Sequence, residues 1–132
     1  MNDRVKKAKQ VFRVDRFKVP AAALPEFTAR ARAAHQRLCM LPGFVEDRLL
    51  ESSGQHGVTT VVTVVVWKDR AACDRAKREI ERAYRQSGYD PQKTLQRLGI
   101  EADRAVYTEL QALVPAGPAR GETSCEALPS QQ

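Results

Sequence analysis

The amino-acid sequence predicts one α+β domain whose elements follow the order β-α-β-β-α-β. Three features indicate this order: a run of β-branched residues at 58–67, two long segments with apolar residues every three or four positions, and turn-forming residues between the segments. The chain of 132 residues is long enough for one domain with its own core and too short for two. We therefore expect one active or binding site.

The first strand is predicted over residues 11–19, where β-branched and aromatic residues are mixed with alternating charges before Pro20. The first helix is predicted over residues 22–40, because its apolar residues form one stripe and its arginines lie away from it. The stripe contains Leu24, Phe27, Ala31, Ala34 and Leu38. Pro42 and Gly43 then end the helix.

The second and third strands are predicted to form a hairpin. Residues 44–51 have a strand pattern, and the turn-rich residues 52–57 are typical of a connection between antiparallel neighbours. Residues 58–67 are the strongest signal in the chain, since nearly all of them are β-branched. Their continuous apolar character predicts a central strand that is covered on both faces.

Two further helices are predicted after the third strand. Asp69 is placed to cap the first of them, and Gly88 follows its end. Its buried stripe contains Ala72, Cys73, Ala76, Ile80, Ala83 and Tyr84. The second is a short helix over residues 92–98, because Asp90 supplies an N-cap and Pro91 occupies the first helical position.

The last strand is predicted over residues 102–113, with a helix as the alternative because Ala, Glu, Gln and Leu favour helices. Together the elements predict a ferredoxin-like domain over residues 11–113, with a four-stranded antiparallel sheet and the helices on one face. Residues 1–10 are a basic N-terminal arm. Residues 114–132 contain three prolines among small and polar residues, and they are predicted to be a flexible tail.

The uncovered face of such a sheet predicts a dimer. On the third strand that face carries either the set beginning at Val58 or the set beginning at Thr59, because successive side chains point to opposite sides. The first set is nearly all valine, and an exposed apolar patch of this kind is normally an interface. We expect a second copy of the chain to cover it, which forms a dimeric α+β barrel. The alternative is that the late segment of the same chain covers this face.

Composition and charge argue against several functional classes. The net charge is +6, but Lys and Arg are spread among Glu and Asp, so we expect no nucleic-acid partner. No apolar run of signal-peptide length follows the basic start, and nowhere do about 18 apolar residues follow one another, so we expect a cytoplasmic protein with no membrane partner. The three cysteines lie far apart and have no metal-ligand spacing, so we expect neither a metal site nor a disulfide framework.

Two short motifs carry a resemblance to a known family. They are Leu41-Pro42-Gly43-Phe44 at the start of the second strand, and Trp67 followed by Lys68-Asp69-Arg70-Ala71-Ala72 at the second helix. Over about residues 11–110 the chain resembles the antibiotic biosynthesis monooxygenase family of dimeric α+β barrels. The resemblance implies a cofactor-independent monooxygenase. In it, a small aromatic or polyketide-like phenol lies between the sheet and the helices and reacts, as an anion, with molecular oxygen.

The residues that this family uses are only partly present. In the quinone-forming branch, the resemblance places the family's tryptophan at Trp67, but its asparagine and tyrosine fall at Thr63 and Cys73. In the haem-degrading branch, the asparagine falls at Asp15 and the iron-ligating histidine falls near Lys77, whose ammonium group has no lone pair for iron. We therefore expect no haem and no other cofactor.

Six residues are the candidate site. The catalytic candidates are Asp15 and His35, either of which would accept a phenolic proton. The substrate-binding candidates are Trp67, Thr63, Tyr84 and Tyr107. In the structural alternative, Asp15 forms a salt bridge to Arg13 or Lys18. His35 is then a boundary residue of its helix, and the aromatic residues pack in the core.

Two other functions stay open on the sequence. The same barrel fits a non-catalytic ligand-binding or stress-type protein, and an enclosed void reached by Asp15 or His35 would favour the enzyme over it. An RNA-recognition module has the same element order, but it exposes aromatic rings on its third strand, where this chain has mainly valines and threonines.

Overall fold

The computed structural model describes residues 9–110. Its elements are β1 (Val11–Pro20), α1 (Leu24–Leu38), β2 (Phe44–Ser53), β3 (Val58–Trp67), α2 (Arg70–Ser87), α3 (Pro91–Leu98) and β4 (Glu101–Thr108). A 3₁₀ turn at Ala21–Ala23 joins β1 to α1. The predicted element order is confirmed, and so is the short third helix. The predicted tail lies outside the described residues, as does the predicted arm except for Lys9 and Gln10.

The four strands form one antiparallel sheet in the order β2-β3-β1-β4. β3 therefore lies between two other strands, as its β-branched run predicted. The last segment is a strand rather than a helix where the structure describes it, because residues 101–108 pair with β1. Pairing with a neighbour outweighs the helix propensity of its alanine and glutamate residues.

The helices cover one face of the sheet, and two apolar clusters form beneath them. One cluster is built around Trp67, and the other around Phe17 and Phe27. Between the clusters, Asp15 on β1 is paired with Thr63 on β3, and both residues are buried. Because polar residues are seldom buried without a partner or a functional role, this pair makes the middle of the sheet a candidate for the functional site.

The other face of the sheet is covered by no helix of residues 9–110. The register shows which β3 side chains lie there: since Thr63 faces the helices, the alternate residues face away. These residues are Val58, Thr60, Val62, Val64 and Val66. The more apolar of the two predicted sets is therefore the one on the uncovered face.

A bulge at Val45 changes which residues of β2 face the helices. Phe44 pairs with Trp67, whereas Glu46 pairs with Val66, the neighbour of Trp67 on β3. Val45 is therefore an extra residue of β2 at this point. Regular alternation from Phe44 would turn Asp47 away from the helices. The bulge turns it toward them, because a shift of one residue exchanges the two faces of a strand.

The helix ends follow the caps that the sequence predicted. Asp69 accepts a hydrogen bond from the Ala72 N–H at 2.8 Å, and Asp90 accepts one from the Gln92 N–H at 3.0 Å. Gly88 follows α2 with φ +75°, a left-handed conformation that glycine adopts without strain.

Neither a membrane span nor a metal cluster is found in the part of the chain that the structure describes. No helix among residues 9–110 is long and apolar enough to cross a membrane. Over the same residues, no group of three or more His, Cys, Asp or Glu side chains is arranged to hold a metal ion.

Candidate functional site

A cavity of about 360 Å³ lies between the helix-facing side of the sheet and the three helices. Its floor includes Asp15, Thr63 and Trp67, and its walls come from α1, α2 and α3. Pockets for small organic ligands have about this volume and are lined mostly by apolar side chains with a few polar groups. The cavity has the same mixed lining, which makes it the candidate site.

His35 on α1 lines one wall of the cavity and is hydrogen-bonded to Asp47 on β2. The His35 Nδ1 atom contacts the Asp47 Oδ2 atom, and the two side chains are 14% and 27% exposed. An ionised carboxylate can only accept a hydrogen bond, so Nδ1 donates, and Nε2 keeps its lone pair in the neutral ring. The pair therefore fixes the ring of a residue that lines the cavity.

Asp15 is bound by two arginines. Its Oδ1 atom accepts a hydrogen bond from Arg13 Nε at 3.1 Å, and its Oδ2 atom lies 3.3 Å from Arg104 Nε. Arg104 is the residue opposite Asp15 on β4. Of the two predicted salt-bridge partners, Arg13 makes the contact, whereas Lys18 lies on the other face of β1. Asp15 also lines the cavity, so ion pairing and access to the cavity occur together.

Trp67 is buried at the end of β3 and lines the cavity. Its ring meets the Phe44 ring edge-on, with the two centroids 5.9 Å apart. Thr63 lies at the middle of the floor beside Asp15 and is also buried. The structure therefore brings five of the six predicted site residues to one cavity: Asp15, His35, Thr63, Trp67 and Tyr84.

Tyr84 on α2 belongs to an aromatic cluster where α2 and α3 meet. Its ring packs edge-on against Tyr89 at a centroid distance of 5.3 Å, and the Arg30 guanidinium lies 5.0 Å from the Tyr89 centroid. Arg97 and Arg30 contact Glu26 at 2.7 and 3.2 Å, which ties α3 to α1. Hydrogen bonds from Arg97 and Arg30 hold the pKa of Glu26 below its usual value. These contacts keep α3 in place over the cavity.

Cys73 on α2 also lines the cavity, at the position where the resemblance places the family's tyrosine. Burial raises the pKa of its thiol, because the charged form is poorly solvated there. The thiol is therefore neutral near pH 7, and a neutral thiol is a weak nucleophile. Cys73 contributes apolar surface to the wall.

Tyr107 is the predicted site residue that the structure places elsewhere. It pairs with Phe12, whose side chain points away from the helices, and it is 55% exposed. Strand alternation therefore puts the Tyr107 ring on the uncovered face of the sheet.

Two residues of the site were missed by the sequence analysis: Asp47, which orients His35, and Arg104, which pairs with Asp15. No local pattern marks either one. Asp47 reaches His35 because of the bulge at Val45, and Arg104 reaches Asp15 because of the register of β4 against β1.

The fold and the cavity define a ferredoxin-like α+β protein with a pocket of ligand size. No family model matches the sequence, and no curated protein matches it.

Solved structures do match. One is SnoaB, a cofactor-independent oxygenase from Streptomyces nogalater, with 28% sequence identity, a TM-score of 0.52, and coverage of 80% of this chain and 98% of SnoaB. Another is a monooxygenase from the gene ActVA-Orf6 of Streptomyces coelicolor in complex with nanaomycin D, with 16% identity, a TM-score of 0.53, and coverage of 84% and 96%. A dimeric ferredoxin-like protein from an uncultured marine organism matches at 13% identity with a TM-score of 0.61 and coverage of 80% and 99%.

At 16% and 13% identity, the last two structures show only that the fold is shared. SnoaB shares the fold and has a higher sequence identity with this chain. SnoaB is an oxygenase of the antibiotic biosynthesis monooxygenase type, and its match confirms the resemblance to that family.

Proposed function

We propose that the chain is a cofactor-independent monooxygenase that oxidises a small aromatic or polyketide-like molecule with molecular oxygen. The observation that carries the proposal is His35, hydrogen-bonded to Asp47, at the wall of a ligand-sized cavity. The cavity is partly open to solvent rather than enclosed, but side chains do not fill it and a candidate base reaches it, which supports the enzyme over a barrel with a solid core. The likeness to a cofactor-independent oxygenase supports the class of reaction.

In this proposal His35 is the base. Its Nε2 atom takes the phenolic proton of the substrate, and the Asp47 carboxylate stabilises the imidazolium that forms. The resulting phenolate is electron-rich and passes electrons to dioxygen. Where the oxidised carbon is a methylene, one oxygen atom becomes its carbonyl oxygen and the other leaves as water. Atoms and electrons then balance with no added reductant.

The other cavity residues bind and position the substrate. Both carboxylate oxygens of Asp15 already contact guanidinium groups, so we assign proton transfer to His35 and a binding role to the cluster around Asp15. Trp67 and Tyr84 supply aromatic surface for a ring, and the Thr63 hydroxyl orients a substrate oxygen in this proposal.

The test is oxygen consumption with a phenolic anthrone such as 1,8-dihydroxyanthrone, measured with an oxygen electrode. The protein should accelerate oxidation over the spontaneous rate, and His35→Asn should lower turnover by about 10²- to 10⁴-fold, the range typical of a lost general base. Asp47→Asn should lower it less, because the imidazole remains. Asp15→Asn tests the second candidate base.

The matched control is His56→Asn, because His56 is the only other histidine of the chain and is exposed in the β2–β3 connection. It should leave turnover unchanged. Loss of activity in Asp15→Asn together with full activity in His35→Asn would move the base to Asp15. The proposed reaction would be refuted if the wild-type protein did not accelerate the oxidation of this anthrone or of related phenols.

We also infer that the protein works as a homodimer in the cytoplasm. No helix of residues 9–110 covers the valine-rich face of β3, although Val66 at its end is buried, and a structural neighbour is a dimeric protein. Cys39 and Cys73 are free thiols, which fits a reducing compartment.

A further inference from the structure

The floor of the cavity carries more positive than negative charge. Arg13 and Arg104 share the carboxylate of Asp15, which leaves one positive charge in excess. Within residues 9–110, neither arginine forms an ion pair with another carboxylate. All three side chains line the cavity, so a ligand there meets the excess charge.

The charges of Arg13, Arg104 and Asp15 are partly withdrawn from water, which strengthens their interaction with a charged ligand. The side chains of Asp15 and Arg13 are 11% and 27% exposed, whereas those of the surface pair Arg16 and Asp103 are 63% and 65% exposed. Charges withdrawn from water are less screened and interact more strongly with a counter-charge. The side chain of Arg104 is 49% exposed, which leaves part of its guanidinium accessible to an incoming ligand.

We propose that the ligand of this cavity carries a carboxylate group, which binds the guanidinium groups of Arg13 and Arg104 beside Asp15. The inference rests on the proposed function, because it takes the cavity as the binding site. A guanidinium presents paired N–H donors that match the two oxygens of a carboxylate. The excess of one positive charge in this cluster matches the single negative charge of a carboxylate.

Most of the other charged side chains that line the cavity are also positive. Arg37 and Lys77 line the cavity against the single further carboxylate of Glu81. Arg30 also lines it, but its guanidinium is already paired with Glu26. The rest of the lining includes the aromatic side chains Phe17, Phe27, Trp67 and Tyr84. The substrate class that matches both features is an aromatic carboxylic acid.

The single tryptophan of the chain makes binding in the cavity directly observable. Trp67 contributes the one indole N–H signal of a ¹H–¹⁵N correlation spectrum, and it lines the cavity. The full-length protein is titrated with naphthalene-2-carboxylate and, separately, with naphthalene-2-carboxamide, which has nearly the same shape and no charge. Both probes should shift the indole signal, and the carboxylate should bind at least about tenfold more tightly.

Variants assign this selectivity to the arginines. Arg104→Gln should weaken carboxylate binding by about 10- to 100-fold and leave amide binding unchanged, because a hydrogen bond to a charged group is lost. Arg104→Lys keeps the charge without the paired donors, so its affinity for the carboxylate should lie between those of the wild type and Arg104→Gln. The matched control is Arg82→Gln, which removes an arginine that pairs with Glu79 on the surface of α2. It should change neither affinity.

The outcomes separate this inference from the proposed function. If the two probes shift the indole signal with equal affinity, in the wild type and in Arg104→Gln, the carboxylate inference is overturned while the cavity stands as the binding site. If neither probe shifts the signal at millimolar concentration, the inference and the proposed site fail together. The dispersion of the same spectra shows that each variant is folded.

Discussion

Several side chains of the cavity serve both the core and the site. Asp15 compensates the charge of Arg13 and Arg104, and these arginines allow a carboxylate to lie under the helices. Asp47 holds the His35 ring through a hydrogen bond. Removing the partner of a buried carboxylate leaves its charge uncompensated and lowers the stability of the fold. The activity of variants at these positions should therefore be measured beside their stability.

Cys73 gives a prediction about stability and pH. Burial raises the pKa of its thiol, so the folded protein keeps this proton to a higher pH than the unfolded chain does. The resulting stabilisation is complete below the pKa of an unfolded cysteine, about 8.5, and is lost as the pH rises through the folded value. The free energy of unfolding should therefore fall above about pH 8.5.

Urea denaturation at several pH values measures this fall, and Cys73→Ala should show a shallower one, whatever its stability at pH 7. The exposed thiol of Cys39 supplies the control, because Cys39→Ala should keep the wild-type slope. Identical slopes in all three proteins would contradict the prediction.

The connection between α1 and β2 sets where the strand begins. The Phe44 N–H donates to the Leu41 carbonyl at 3.2 Å, and Gly43 in this turn has φ +87°. The Gly43 carbonyl accepts a hydrogen bond from the Lys68 N–H at 2.8 Å, which joins the turn to the segment before α2. The turn therefore positions β2 just ahead of the bulge that directs Asp47 into the site.

Gly43→Ala should lower the free energy of unfolding by about 2–5 kcal/mol. The left-handed backbone costs a residue with a Cβ atom about 1–2 kcal/mol. The new Cβ would also lie 2.3 Å from the Ala72 Cβ, and overpacking of this kind adds about 1–3 kcal/mol. Chemical denaturation measures the loss.

Gly88→Ala is the control for this prediction. Gly88 has φ +75°, but a Cβ atom there meets nothing within 4 Å, so only the backbone cost of about 1–2 kcal/mol applies. Equal losses at the two glycines would show that the contact between the turn and α2 contributes nothing.

The uncovered face of the sheet bears on how the protein assembles. Its apolar side chains lie on the two central strands, where Val14 is opposite Val64 and Phe12 is opposite Val66. Charged side chains lie on its edge strands and on the second half of β1, where Arg16 is opposite Asp103 and Lys18 is opposite Glu101. An apolar centre with a polar rim is the usual composition of a protein interface, and a second copy of the chain would present the same surface.

Val14→Asp should therefore convert the dimer to a monomer, because Val14 lies between Val64 on β3 and Ala105 on β4. An aspartate at the centre of an apolar interface is an unpaired buried charge, which should raise the dissociation constant by at least about 100-fold. Light scattering after size exclusion distinguishes the 14.8 kDa chain from its dimer. Gln86→Asp on the exposed surface of α2 should leave the mass unchanged. A monomeric wild type would contradict the dimer at once.

Local sequence patterns were enough to predict the order of the elements and the type of all but the last, which was predicted as a strand with a helix as the alternative. β-branched residues define β3, the carboxylates of Asp69 and Asp90 cap their helices, and glycines follow the helix ends. Each signal acts between residues that are close in sequence, so it can be read without the fold. The differences are small: β2 continues to Ser53, and α1 begins at Leu24 because a 3₁₀ turn occupies the residues before it.

Contacts between distant segments decided the composition of the site. The register of β3 against β1 chose which valines face away from the helices, and the register of β4 brought Arg104 to Asp15 and turned Tyr107 away. The bulge at Val45 brought Asp47 to His35. Side chains alternate with a period of two along a strand, so a shift of one residue moves a group from the cavity to the opposite face. That shift depends on hydrogen bonds between strands, and no pattern within one strand reveals it.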